Sequence, residues 1–330
     1  MKTKTGASVL LTTLLATAMS APTRTSELAS LRSATEWINS PPLTEEGLRE
    51  KVVLIQFWTY SCVNWLRTLP YVRAWARKYR DQGLVVVGVH SPEFGFEKQL
   101  VNVRWAAKSF QVDYPVAMDN DFAIWRGFSN QYWPALYLID GRGQVRYRHF
   151  GEGNYEQSER MIQELLAEAG ARGADGDLVS VTAPGAEAAA DRDNLKSPET
   201  YLGSDRSENQ VPWGTRLRLN QWALEGQWTV QGQPATLKQA NGRIAYRFHA
   251  RDLNLVMSPA GDGKPVRFRV LIDGHPPGSA HGIDVDEQGN GAVAGPRMYQ
   301  LIRQPGTIAD RLFEIQFLDP GVEVFVLTFG

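Results

Sequence analysis

Residues Val52–Phe57 read VVLIQF, an apolar run broken only by Gln56. A strand with one face in water alternates apolar and polar residues, so a run of this kind belongs to a strand covered on both faces. The flanking sequence supplies the cover. Trp65, Leu69, Val72, Ala76 and Tyr79 recur at four- and three-residue steps and mark a helical stripe. Pro70 lies inside that stripe and is expected to kink the helix. Leu84–His90 (LVVVGVH) is a second buried strand, and Leu100, Val103, Ala107 and Phe110 mark another helix. A short strand is expected around Pro115–Met118. Pro134–Asp140 and Gln144–Phe150 flank the turn Gly141-Arg142-Gly143 as an antiparallel hairpin. A last helix runs from Glu156 to a terminating Gly170. The order β-α-β-α-β-β-α implies an α/β unit, a mixed sheet with flanking helices.

Past this unit, over 171–197, the composition shifts to Ala, Gly, Asp and Glu with little periodicity, which reads as a linker. Beyond it the helical patterning stops. Leu217/Leu219, Ile244/Tyr246/Phe248, Val266/Phe268/Val270/Ile272, Phe313/Ile315/Phe317 and Val322/Val324/Val326 alternate between Gly, Pro and Asp-Gly turns. Many short strands with such punctuation predict an all-β sandwich or jelly roll over 198–330. At the other end, Lys2 and Lys4 precede a modest apolar run from Ala7 to Ala18 and then small residues. This is the layout of a secretory signal peptide, expected over 1–21, and it implies export to a periplasmic or other extracytoplasmic space. The competing reading is a frayed N-terminus. No apolar stretch reaches the length of a membrane span. The 35 basic and 36 acidic residues of the 330 balance, which argues against nucleic acid or an anionic membrane as a bulk electrostatic partner.

The chain has one cysteine. That excludes an internal disulfide framework and a zinc cluster built on several thiolates; no metal or cofactor is expected. Cys62 sits where a buried strand runs through a turn into a helix. Free N–H groups and the dipole at a helix N-terminus favour a thiolate, the nucleophile of thiol–disulfide exchange. The alternative is a cysteine acting as a small buried hydrophobe.

The stretch FWTYSCVNWLRTLP, Phe57–Pro70, resembles the thioredoxin-like FWATWCxxCRxxxP turn of TlpA-type proteins. WPALYLIDGRGQV, Trp133–Val145, is similar to the cis-proline loop and hairpin of the same fold. From about Leu28 onward the chain resembles the soluble region of DipZ-type proteins, in which a TlpA-like redoxin domain precedes a β-sandwich resembling carbohydrate-binding modules. The runs SPETYLG, ARDLNLVMSP, YQLIRQ and FLDPGV carry the second half of that likeness. The resemblance implies a thioredoxin-like domain over 28–170 and thiol redox work after export. It also implies a cis Pro134 opposite Cys62, contacting the nucleophile and offering backbone groups to an incoming peptide. Trp58, Trp65 and Trp133 are the substrate-binding candidates, with core packing the competing role for Trp65. Partners implied are protein thiols or disulfides or a small thiol reductant, with a glycan as candidate partner of the second domain.

Two departures bear on mechanism. Trp65 stands where the family has its resolving cysteine, and Gln56 stands where thioredoxins carry a buried carboxylate that shuttles a proton for the second thiol. A dithiol cycle within one chain is therefore ruled out. Attack by Cys62 remains, by mixed disulfide or on a peroxide, with an external thiol for resolution. Thr59, three residues before Cys62, is placed to hydrogen-bond a peroxide or the thiolate, as in peroxiredoxins, with Arg67 or Arg126 as the cation; Ile55 occupies the place of the peroxiredoxin proline. His90 and Glu93 are candidate bases near Cys62. In the second half, Trp213, Trp222 and Trp228 are candidates for stacking on sugars. Gly282–Gly291 faintly resembles a calcium loop but suits a hairpin turn better. The rival to a redox enzyme is a thioredoxin-fold binding protein that recognises envelope proteins or glycans.

Overall fold

The computed structural model describes residues 26–174, 176–259 and 263–330. The segment expected as a signal peptide lies outside them. The first unit contains β1 (Glu36–Ile38), β2 (Val52–Trp58), α1 (Val63–Tyr79), β3 (Leu84–His90), α2 (Leu100–Ser109), β4 (Val116–Met118), α3 (Ala123–Gly127), β5 (Ala135–Ile139), β6 (Val145–Phe150) and α4 (Tyr155–Glu168). Its six strands form one sheet in the order β1-β4-β3-β2-β5-β6. β2, β3 and β4 run parallel, while β1, β5 and β6 pair antiparallel. Every residue of β2 is buried, as the unbroken apolar run requires. α1 runs through Pro70 without interruption.

The second unit contains β7 (Thr200–Tyr201), β8 (Trp222–Glu225), β9 (Trp228–Val230), β10 (Ala235–Leu237), β11 (Arg243–Phe248), β12 (Asp252–Pro259), β13 (Val266–Ile272), β14 (Asn290–Val293), β15 (Arg297–Arg303), β16 (Arg311–Phe317) and β17 (Val322–Phe329). These make two antiparallel sheets. One has the order β15-β12-β17-β10-β9, with β7 on β17, and the other β14-β13-β16-β11-β8. Alternate residues of β13 and β16 point into the core between them, the period-2 signature of a sandwich. Leu217 and Leu219 form no strand. They fall in the turn-rich segment between Trp213 and Asn220, so their alternation has no partner strand to pair with. The Gly282–Gly291 segment is a turn: Asp286 Oδ1 accepts from Asn290 N at 2.7 Å, and Asp284 pairs with Arg297 at 2.6 Å.

The two units share an apolar core. Val256, Met298, Phe325 and Val326 of the sandwich belong to the same buried cluster as Trp58, Trp65 and Leu69. Phe325 lies with its ring centroid 5.0 Å from Phe94 and 4.8 Å from Phe96. Arg67, buried on α1, donates to Phe329 O at 3.1 Å and pairs with Glu152 at 3.3 Å. The connecting segment is held against the first unit as well. Arg73 binds Glu187 through both guanidinium nitrogens, at 3.0 and 2.5 Å, and Val179 N donates to the Glu159 carboxylate.

Candidate functional site

β2 delivers Cys62 to the start of α1. Cys62 is the N-cap, its backbone extended (φ −80°, ψ 117°), and its carbonyl accepts from Leu66 N at 3.1 Å. Cys62 is half-buried. β5 pairs with β2 in a register that puts Ala135 beside Phe57. Pro134 therefore lies at the same sheet end as Cys62, and the Trp133–Pro134 bond is cis. The Pro134 carbonyl is already engaged, accepting from Gly151 N at 2.8 Å.

The electrostatics of Cys62 differ from the expected thiolate. Burial pushes the thiol well above the ordinary cysteine range, and Glu199 pushes it further. The backbone N–H groups of Trp65 and Asn64 oppose this and Glu93 adds to it. The helix N-terminus acts as its geometry requires, but desolvation and two carboxylates outweigh it. In this arrangement Cys62 rests as a thiol.

The aromatic candidates divide. Trp58 and Trp65 are fully buried and stacked on each other, ring centroids 4.3 Å apart, with Phe110 edge-on to Trp65 at 5.7 Å. They are core, not a binding platform, because the stripe facing the sheet carries Trp65 inward. Trp133 alone keeps solvent contact; its Nε1 donates to Ser91 O at 3.0 Å and its ring lies 4.4 Å from Trp125. Thr59 is fully buried and makes no hydrogen bond to the Cys62 sulfur. Neither arginine serves as a peroxide-orienting cation: Arg67 is committed to Glu152 and Phe329, Arg126 is solvent-exposed, and the charges acting on Cys62 are anionic. In the sandwich, Trp222 is fully buried and donates to Glu208 O, which removes it as a sugar platform.

His90 is fully buried between Trp58, edge-on at 4.8 Å, and Tyr60, stacked at 5.8 Å. Burial pushes its imidazole down to about 3, so it is neutral and too weak a base for thiol chemistry. Gln56 is buried and accepts from Tyr114 Oη at 3.0 Å. Glu97, not anticipated from sequence, is fully buried beside Ser61. It accepts from Ser61 Oγ at 2.6 Å, Glu93 N at 2.6 Å and Phe94 N at 2.9 Å. Burial pushes its carboxyl up to about 7 against the pull of Ser61.

The sandwich supplies a second set of unanticipated residues. Tyr201 Oη lies 2.7 Å from Glu93 Oε1 and 3.0 Å from Glu199 Oε2. Arg206 pairs with Glu93 at 2.9 Å, its guanidinium 3.5 Å over the Tyr201 ring. Gln233 donates to Glu93 O and accepts from Gly95 N. Glu199 and Tyr201 belong to the SPETYLG run, so a signal was present. Nothing local in that run shows that it packs against Glu93 of the first unit. Among the described residues no cluster of His, Cys, Asp or Glu is arranged to hold a metal, and no helix is long and apolar enough to cross a membrane.

A mixed sheet of this order, a strand–turn–helix cysteine and a cis-proline at the same sheet end define a thioredoxin-fold domain, here joined to an antiparallel β-sandwich. Comparison with known proteins agrees. Residues 197–330 match a family described as "Thioredoxin like C-terminal domain". Protein DipZ of Mycobacterium tuberculosis is 35% identical over 321 residues, 91% of this chain and 42% of DipZ. The chain thus spans less than half the length of that relative. Thiol-disulfide oxidoreductase YkuV of Bacillus subtilis is 33% identical over 132 residues, 40% of this chain and 88% of YkuV. A solved thioredoxin-like protein in its oxidized form aligns at 32% identity over 41% of this chain and 90% of its own, with a TM-score of 0.38. The chain belongs to the thioredoxin-like redoxin family.

Proposed function

We propose that this chain is an exported thiol redox protein that works through one nucleophile, Cys62. The observation that carries the reading is a partly exposed cysteine at the N-terminus of α1, at the same sheet end as cis Pro134, with a buried tryptophan three residues on. The name of YkuV supports the thiol–disulfide class. Cys62 attacks a disulfide, forming a mixed disulfide and expelling one thiol; an external thiol then attacks the mixed disulfide and restores Cys62. Protein disulfides are the substrate class, with Trp133 at the rim. Export rests on the N-terminal layout of Lys2, Lys4 and the apolar run.

The test compares wild type with Cys62→Ser in disulfide reduction driven by glutathione, with mass spectrometry for an adduct on Cys62. Loss of both activity and adduct in the variant is expected. Activity unchanged in Cys62→Ser defeats the redox reading. The electrostatics favour the rival, a non-catalytic binding protein: burial and the Glu199 and Glu93 carboxylates disfavour the Cys62 thiolate. That reading expects Cys62 in the native protein to be alkylated at neutral pH no faster than an unstructured cysteine peptide.

A further inference from the structure

Glu97 is fully buried, and every donor that reaches it is neutral. A carboxylate buried without a cation is costly to keep. Its two oxygens serve two different segments. Oε2 accepts from Glu93 N at 2.6 Å and Phe94 N at 2.9 Å and so closes its own loop. Oε1 leaves that loop and accepts from Ser61 Oγ at 2.6 Å and Ser61 N at 3.4 Å, 36 residues back in the chain. Ser61 is itself buried and directly precedes Cys62, in the turn between Trp58 at the end of β2 and Val63 at the start of α1. Cys62 N closes that turn by donating to Thr59 O at 3.3 Å. The loop to which Glu97 ties the turn is also gripped by the sandwich. Gln233 donates to Glu93 O at 3.3 Å and accepts from Gly95 N at 3.1 Å. Tyr201 and Arg206 hold the Glu93 side chain, and Phe325 packs on Phe94 and Phe96. The loop is thus a fixed anchor between the two domains, and Glu97 passes its position on to Ser61.

We propose that Glu97 is a positioning residue for thiol–disulfide exchange: through Ser61 it fixes the turn that carries Cys62 to a loop clamped by the β-sandwich. The inference rests on the single-thiol reading above. In exchange, the attacking sulfur approaches in line with the S–S bond that breaks, so the rate depends on where the turn holds that sulfur. Alkylation by a small reagent such as iodoacetamide makes a weaker demand on direction. The two reactions of one thiol therefore separate its placement from its general accessibility and acidity.

The test measures both rates in the full chain, at one mildly alkaline pH, for wild type, Glu97→Gln, Ser61→Ala and the double variant, with circular dichroism verifying the fold. Formation of the mixed disulfide with glutathione disulfide is read by mass spectrometry. There the Cys62 sulfur bonds one glutathione sulfur, and the other leaves as glutathione with the thiol proton. A carboxamide keeps one oxygen for Glu93 N and Phe94 N but turns N–H groups toward Ser61 N, so Glu97→Gln spares the loop and loosens the tie to the turn. The proposal expects the ratio of exchange to alkylation to fall at least about fivefold in each single variant. The double variant falls no more than about twofold further, because both substitutions cut one tie. A merely structural role moves both rates together or neither; an unchanged or raised ratio overturns the proposal, and so do single effects that multiply in the double variant. A wild type that forms no mixed disulfide defeats the single-thiol reading and this one together. A wild type that exchanges, with the ratio unchanged in the variants, defeats this one alone.

Discussion

Replacing Trp65 by Cys restores a dithiol spacing and tests whether the indole is structural. Trp65 is fully buried, stacked on Trp58 at 4.3 Å and edge-on to Phe110 at 5.7 Å. A buried indole removes roughly 200 Å² from water, worth about 5 kcal/mol at about 25 cal/mol per Å². A cysteine recovers part of that, and the neighbours relax only partly into the space. The expected loss is about 3–5 kcal/mol, including about 1 kcal/mol of ring–ring contact. Set against a typical total of about 5–15 kcal/mol, the variant folds but is weakened. Trp65→Phe keeps most of the ring and is expected to lose about 1–2 kcal/mol. Urea denaturation followed by far-ultraviolet circular dichroism measures both. A loss below about 1 kcal/mol for Trp65→Cys would refute the assignment of Trp65 to the shared core.

Three other outcomes are expected. Phe325→Ala removes the ring between Phe94 and Phe96 and is expected to cost about 3–5 kcal/mol, with faster proteolytic cleavage within 171–197; unchanged cleavage would count against Phe325 as the anchor of the interface. Arg67→Ala leaves the Phe329 carbonyl without its donor and Glu152 with Arg192 alone, and is expected to cost about 1–3 kcal/mol in thermal or urea melts; a loss under about 0.5 kcal/mol contradicts the buried-contact reading. His90 and Glu97 act on pH-dependent stability with opposite signs. The lowered His90 value means stability is lost as pH falls below about 6.5, whereas the raised Glu97 value means stability is present at low pH and lost as pH rises through about 7. Each is worth roughly 2 kcal/mol between pH 7 and 5, so His90→Phe gains relative stability on acidification and Glu97→Gln loses it. Urea midpoints at the two pH values decide, and equal slopes in both variants refute the assignment.

The first domain was legible because its signals are local. VVLIQF has one physical solution, a strand covered on both faces, and the stripe from Trp65 to Tyr79 fixes the helix that covers it. The sandwich strands were legible from alternation wherever a partner strand exists; Leu217 and Leu219 show that alternation alone does not make one. The chemistry of the site was less legible because it depends on tertiary burial. Cys62 has the dipole that its position promises, yet burial and Glu199 reverse the outcome. Trp58 and Trp65 read equally well as platform or core until their burial is known. His90 looked like a base at a strand end, and two aromatic rings silence it. Glu97, Glu199, Tyr201 and Arg206 reach the site through contacts of the two domains or through a buried turn, which no local pattern encodes.

The grip of Arg73 on Glu187 has a consequence for how the second domain behaves once undocked. From that anchor to Ser197 the chain runs roughly ten residues, a reach of about 33 Å even fully extended. A tether that short keeps a detached sandwich near its docking face at an effective concentration on the order of millimolar. Redocking of Phe325 against Phe94 and Phe96 is then a first-order event, insensitive to dilution of the protein.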